Sequence, residues 1–197
     1  MSEFAIIVRM TTAQQLITAE EFAQLPESPG GEQMELVRGL VVMAPPADID
    51  HGERAFEIGV ALREFVRRHK LGRITGEGGY LLVEDPDVVR APDTAWLSGE
   101  RRERESPRTS GYFKGAPNLA VEVVSTHDRE IDIDEKVSDY LAAGTDRVWV
   151  VRPKHRTVTV HRPSGDSHRY TAQDTLTSDD ASFPVTGFEL PVAAIFE

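Results

Sequence analysis

Apolar positions along this chain recur with two periods, and each change of period marks the border of an element. Thr18, followed three residues later by Glu21, forms a capping box ahead of Phe22 and Leu25 and predicts a short helix. Pro26 and the run to Gly31 close it. From Met34 to Met43, branched apolar residues flank Arg38-Gly39, the pattern of two strands around a tight turn. Ile58, Leu62, Phe65 and His69 then recur at helical spacing. They predict a helix over 53–70, basic on its outer face through Arg63, Arg67, Arg68 and Lys70, and ended by Gly72. Tyr80 to Val83 reads as a strand and Asp85-Pro86-Asp87 as a turn. Val88 to Leu97 is an extended run broken by Pro92-Asp93, so Asp93 stands at or just inside a strand start. Residues 98–116 read as a charged loop in which Arg101, Arg102, Arg104 and Arg108 are offset by Glu100, Glu103 and Glu105.

The second half is patterned differently. Leu119 to Val124, LAVEVV, is a continuous apolar run holding one acid, the signature of a strand buried on both faces. A helix over 130–143 ends at Gly144, and Arg147 to Val151 is a second apolar strand stopped at Pro153. Strand, helix and strand make a βαβ unit with an expected right-handed crossover. Thr157 to His161 and His168 to Tyr170 flank a Pro-Ser-Gly-Asp turn, a second hairpin, before a tail ending in PVAAIFE. The expected architecture is α/β (α+β mixed): a mixed central sheet flanked by helices, with hairpins toward both ends. No stretch repeats at a fixed period.

Composition narrows the chemistry. The chain has 197 residues, 33 acidic against 22 basic, a net charge of −11 and no cysteine. This size suits one domain, taken as 18–197 after an extension over 1–17. Without cysteine there is no disulfide framework, thiolate nucleophile or cysteine-ligated metal. No apolar stretch approaches the roughly 20 residues that cross a bilayer, and the opening MSEFAIIVRM does not read as a secretory signal, so a cytoplasmic protein is expected. The −11 charge argues against a broad surface for nucleic acid. Nucleophile-elbow, zincin and P-loop motifs are missing, and the six histidines show no metal-ligand spacing.

Glu122 is the most informative residue, because a carboxylate inside a buried strand is costly unless a cation pairs with it. Asp93, at another strand start, would bring a second hard-oxygen ligand, and two such acids suit Mg²⁺. By alternation Glu122 shares its face with Val124, so its own strand supplies no following cation. Lys136 and Tyr140, four apart beside the apolar Val137 and Leu141, lie on a helix that packs back over the sheet and brings the ammonium within reach. The same residues also admit an ordinary reading: a structural Glu122–Lys136 ion pair, turn chemistry at Pro92-Asp93, and a solvated helix charge.

The runs ELVRGLVVMAPP, then His51, APDTAWL, PNLAVEVVS and DIDEKVSDYLAAGTDRVWVV, taken in order over roughly 18–190, resemble the Uma-two family of endonucleases. That family belongs to the PD-(D/E)XK, restriction-endonuclease-like superfamily. The resemblance implies a restriction-endonuclease-like core, with Asp93 as the metal-binding acid of the PD motif and Glu122 as the second acid. The superfamily's commoner lysine position is Val124 here, and the family's lysine from the next helix is Lys136. Glu35 and His51 also match family positions. It further implies Mg²⁺, with Mn²⁺ able to substitute, held by Asp93, Glu122 and the main-chain carbonyl near Val123. Lys136 would orient or deprotonate the attacking water. Glu35 would complete the metal shell or hold a second ion, and His51 would act as general acid, phosphate contact or helix-entry residue.

The expectation is therefore a Mg²⁺-dependent nuclease acting on DNA through a weak, salt-sensitive encounter along the Arg63 to Arg73 face. A homodimer would place one site on each strand. The alternative is a catalytically silent binding or assembly module whose buried acids form a structural ion pair. A hydrolase of a small phosphorylated substrate is a third reading.

Overall fold

The computed structural model describes residues 16–44, 48–104, 111–126 and 128–197. Residues 1–15, most of the expected extension, and 105–110, within the expected loop, lie outside the described residues. Thr18 caps α1 (Ala19–Phe22) with both halves of the capping box in place. β1 (Gln33–Val37) and β2 (Leu40–Ala44) form the expected hairpin, and Arg38 and Gly39 both take positive φ, 50° and 77°. A two-residue turn of the primed type needs that backbone.

α2 (Ile49–His69) starts ahead of residue 53 because Asp48 caps it, accepting the His51 main-chain N–H at 2.8 Å. Lys70, left-handed at φ 56°, ends the helix, and Gly72 opens β3 (Gly72–Thr75), a strand the sequence did not reveal. Gly72 has φ 132°, and a Cβ there would stand 2.2 Å from the Leu97 carbonyl oxygen, so the pairing requires glycine.

After β4 (Tyr80–Val83), the extended run divides into β5 (Val88–Arg90) and β6 (Thr94–Ser98), which belong to different sheets. Ala91-Pro92-Asp93 is the crossing between them, and Pro92 has no N–H to continue a ladder. Where a loop was expected, α3 (Gly99–Arg104) forms. Arg101 donates to the carbonyls of Pro117 and Gly144, 2.8 and 3.1 Å away, so it anchors the segment to its neighbours.

β7 (Phe113–Lys114), β8 (Leu119–Val123), α4 (Glu130–Ala142), β9 (Arg147–Arg152), β10 (Thr157–His161) and β11 (Ser167–Thr171) follow. The tail forms a further hairpin, β12 (Thr175–Thr177) and β13 (Glu189–Pro191), and a closing 3-10 turn over Val192–Phe196.

Two principal sheets thus replace the single one expected: six strands in the order β11-β10-β9-β8-β6-β3, and five in the order β2-β1-β5-β4-β7. β8 and β9 are parallel and joined through α4, as the βαβ pattern predicts. The other neighbours in the six-stranded sheet are antiparallel.

Alternation along β8 decides where its acid points. Val121 and Val123 pack with Ile58 and Leu62 of α2, whereas Ala120 packs with Val137 and Tyr140 of α4. Glu122 is therefore aimed at α4. The tail adds Leu176, Phe188 and Ile195 to the α2 side, and α1 lays Phe22 against Leu36, Leu81 and Val89 of the five-stranded sheet. Among the described residues no helix is long and apolar enough to cross a membrane.

Candidate active site

β6 and β8 run antiparallel with Thr94 opposite Val121, so one step outward sets Asp93 beside Glu122. The Asp93 Oδ2 accepts the Val123 main-chain N–H at 2.6 Å, and its Oδ1 lies 3.0 Å from His51 Nε2. His51 occupies this place because the Asp48 cap draws it into the first turn of α2. Glu122 is only 3% exposed. Its Oε2 accepts from Lys136 Nζ at 3.0 Å and its Oε1 from the Tyr140 hydroxyl at 2.8 Å, the two donors standing one turn apart on α4.

Glu35 arrives from β1, in the other sheet. Its Oε1 lies 3.3 Å from Lys136 Nζ and accepts the Ala91 N–H at 3.0 Å, while its Oε2 accepts from Arg90 Nη1 at 2.9 Å. Glu35, His51, Asp93, Glu122 and Lys136 are thus brought together from both sheets and both long helices. Val123, expected as a main-chain oxygen ligand, is seen donating its N–H to Asp93.

A family model described as "Uma2: Putative restriction endonuclease" matches residues 19–193. The chain belongs to the Uma2 family. Among solved structures, this Uma2 chain is similar to a protein from Anabaena variabilis described as a putative nuclease belonging to DUF820. The two share 22% identity and a TM-score of 0.76 over 91% of this chain and 97% of that one, a likeness of fold. No curated protein matches.

Electrostatics in the Uma2 site follow from burial. Desolvation pushes the Glu122 carboxyl up to about 7, with Lys136 opposing the rise and Asp93 and Glu35 adding to it. Burial also works against the Lys136 ammonium, but Glu122, Glu35 and Asp93 outweigh it and raise its proton affinity above that of an ordinary lysine. Lys136 is therefore a cation at neutral pH. The hydrogen bond to Asp93 raises the His51 imidazole above its usual 6.5 against the effect of burial, with Asp128 and Asp48 contributing further. Burial raises Tyr140 well above its ordinary range, so it stays a hydroxyl donor to Glu122. The second ring nitrogen of His51, Nδ1, is buried without a protein partner.

Two residues of this cluster escaped the sequence reading. Arg90, 3% exposed, donates to Asp139 Oδ2 from Nε at 2.9 Å and Nη2 at 2.6 Å, besides its bond to Glu35. Burial opposes its charge, and Glu35 and Asp139 together overcome that penalty. Arg38, from the β1–β2 turn, reaches Asp139 at 3.3 Å and also pairs with Glu135. This second ion cluster fastens the five-stranded sheet to α4 and holds Glu35 in place. Its signal was an arginine in the apolar run VVRAP, the counterpart of the acid in LAVEVV.

Among the described residues no three His, Cys, Asp or Glu side chains are grouped so as to hold a metal by themselves. An ion at this place would take Asp93 and Glu122 and complete its shell from main-chain oxygen and water, a combination Mg²⁺ commonly uses.

Proposed function

We propose that this chain is a metal-dependent nuclease that hydrolyses phosphodiester bonds in DNA, with Mg²⁺ as its ion and Mn²⁺ able to replace it. The observation that carries the reading is the meeting of Asp93 and Glu122, from adjacent antiparallel strands, beside one half-buried lysine. The donors suit the ion in kind, being hard oxygens. Glu122, desolvated and crowded by Asp93 and Glu35, is also a concentration of negative charge that a divalent cation would relieve. Asp93, Glu122 and the Val123 carbonyl would hold it. When bound, such an ion polarises the phosphate and lowers the pKa of a coordinated water.

The remaining work falls to the chain's own groups. Lys136, held as an ammonium, orients water and offsets charge developing on the phosphate oxygens; its raised proton affinity disfavours a role as base. His51 carries a proton at Nε2, shared with Asp93, and is placed to deliver one to a leaving oxygen. Glu35 is a positioning residue for Lys136, itself fixed by Arg90 and the Ala91 N–H.

A second reading has one observation in its favour. Every carboxylate oxygen of Glu122 and Glu35 already has a protein partner, as in a structural ion pair of a catalytically silent module. Cleavage of plasmid, single-stranded DNA and RNA with Mg²⁺ or Mn²⁺ decides, comparing the parent with Asp93→Ala and Glu122→Ala. Cutting by the parent that both variants lose supports the nuclease. Cutting that persists in both means the site is elsewhere, and a parent that neither binds metal nor cuts is the silent module.

A further inference from the structure

A cleft of about 460 Å³ opens beside Asp93, between α2 and the β3 edge, with His51 and Asp93 in its wall. Its volume lies within the roughly 300–1,000 Å³ typical of ligand sites. Phe56, Val60 and Arg63 line it from α2 at successive positions of one helix face, and Ile74, Thr75, Gly76 and Glu77 close the other side. Phe56 is 67% exposed and Val60 44%, although neither belongs to the core. Arg63 is exposed and has no hydrogen bond or ion pair to another described residue.

Resting on the nuclease reading, we propose that this cleft receives the base of an unpaired nucleotide, so that the substrate is a single strand or a locally unpaired segment. The lining is poor in cations for a phosphate track: Arg63, with His51 already engaged by Asp93, stands against two acids, Glu77 and Asp93. A duplex keeps its base faces stacked within and shows a phenylalanine only groove edges, unless a base step is pried apart at a cost of a few kcal/mol. An unpaired base offers its face, and any base can stack on an aromatic ring. Continuity with Asp93 would bring the adjoining phosphodiester to that end of the acid pair while Arg63 meets a flanking phosphate. A chain of net charge −11 can in this way hold nucleic acid without a broad basic surface. The encounter expected along the Arg63 to Arg73 face narrows to Arg63, the member of that stripe lining the cleft.

The test measures binding without cleavage, in EDTA, by fluorescence anisotropy of a labelled single-stranded DNA 12-mer, the matching duplex and a strand with abasic positions. The single strand is expected to bind more tightly than the duplex. Phe56→Ala weakens the single strand by roughly 5- to 100-fold and leaves the duplex nearly unchanged, and the abasic strand loses affinity as the variant does. The dependence of log K on log salt is shallow, roughly −1 to −1.5, and Arg63→Ala flattens it by about 0.7. Equal or tighter duplex binding, or indifference to Phe56→Ala, overturns the proposal. So does a shift from dimer to monomer for Phe56→Ala in sedimentation, which would assign the face to a second copy of the chain. Phe56 lies outside the core, so its truncation leaves folding intact. Tight single-strand binding without cleavage in Mg²⁺ or Mn²⁺ defeats the nuclease and spares this cleft; cleavage untouched by Phe56→Ala does the reverse.

Discussion

Asp93 accepts the main-chain N–H of Val123 at 2.6 Å, so the acid that leads into β6 also fastens the end of β8. Charge and hydrogen bonding at this one side chain can be separated. Asp93→Asn keeps an acceptor for the amide, whereas Asp93→Ala leaves a buried donor unpaired at a cost of about 1–3 kcal/mol. Both variants are expected to lose cleavage, and denaturant unfolding should show the alanine variant destabilised and the asparagine variant close to the parent. In Asp93→Asn the His51 imidazole loses the largest of the interactions that raise it, so its titration by NMR should fall relative to the parent.

Stability should depend on pH through Glu122. Burial raises its carboxyl from 4.5 to about 7, so between those values the folded chain binds a proton that the unfolded chain has released. The sign follows: the contribution of Glu122 to stability is fully present below the window and is lost as pH rises through it. His51, also raised, adds a loss in the same direction as pH climbs through its folded value. Urea midpoints at pH 5 and pH 7.5 should differ more in the parent than in Glu122→Gln. Equal differences would mean that Glu122 is not protonated more readily in the folded state.

Lys136→Met keeps the apolar stem and removes the ammonium that serves both Glu122 and Glu35. Losing one preorganised charge at a reacting phosphate should slow cleavage roughly 100-fold or more. Mg²⁺ affinity by calorimetry should be no weaker, because the cation competing for Glu122 is gone. A large fall in metal binding would show that Lys136 supports the ligands instead of the chemistry.

Arg90 offers a test that is independent of activity. Arg90→Met takes from the buried Glu35 and Asp139 their shared cation and leaves them only Lys136 and Arg38, a loss of up to about 3–5 kcal/mol. Arg90→Lys restores charge without the two-sided fork and should recover only part of it. A midpoint unchanged in Arg90→Met would remove this cluster from the set of contacts that join the two sheets.

How far the pattern reached can be seen by comparing Glu122 with Arg90. Both stand in short apolar runs, and the acid could be matched to Lys136 because the intervening strand–helix–strand unit constrains where the helix returns. The arginine's partners, Glu35 and Asp139, come from a strand in the same sheet and a helix packed on the other one, a juxtaposition no local spacing encodes. β3 escaped for a similar reason. Gly72 reads as a helix stop, yet its backbone pairs with Ser98 at the far end of β6.

Local physics therefore determined α4, β8, β9, the hairpins and the suspicion that a buried acid needs a cation, since periodicity, caps and desolvation act within one or two elements. Tertiary structure alone decided that the run through Asp93 splits between two sheets. It also placed His51 on Asp93 and Glu35 on Lys136, and opened the cleft beside them, because those contacts join segments far apart in the chain whose meeting depends on how the sheets pack.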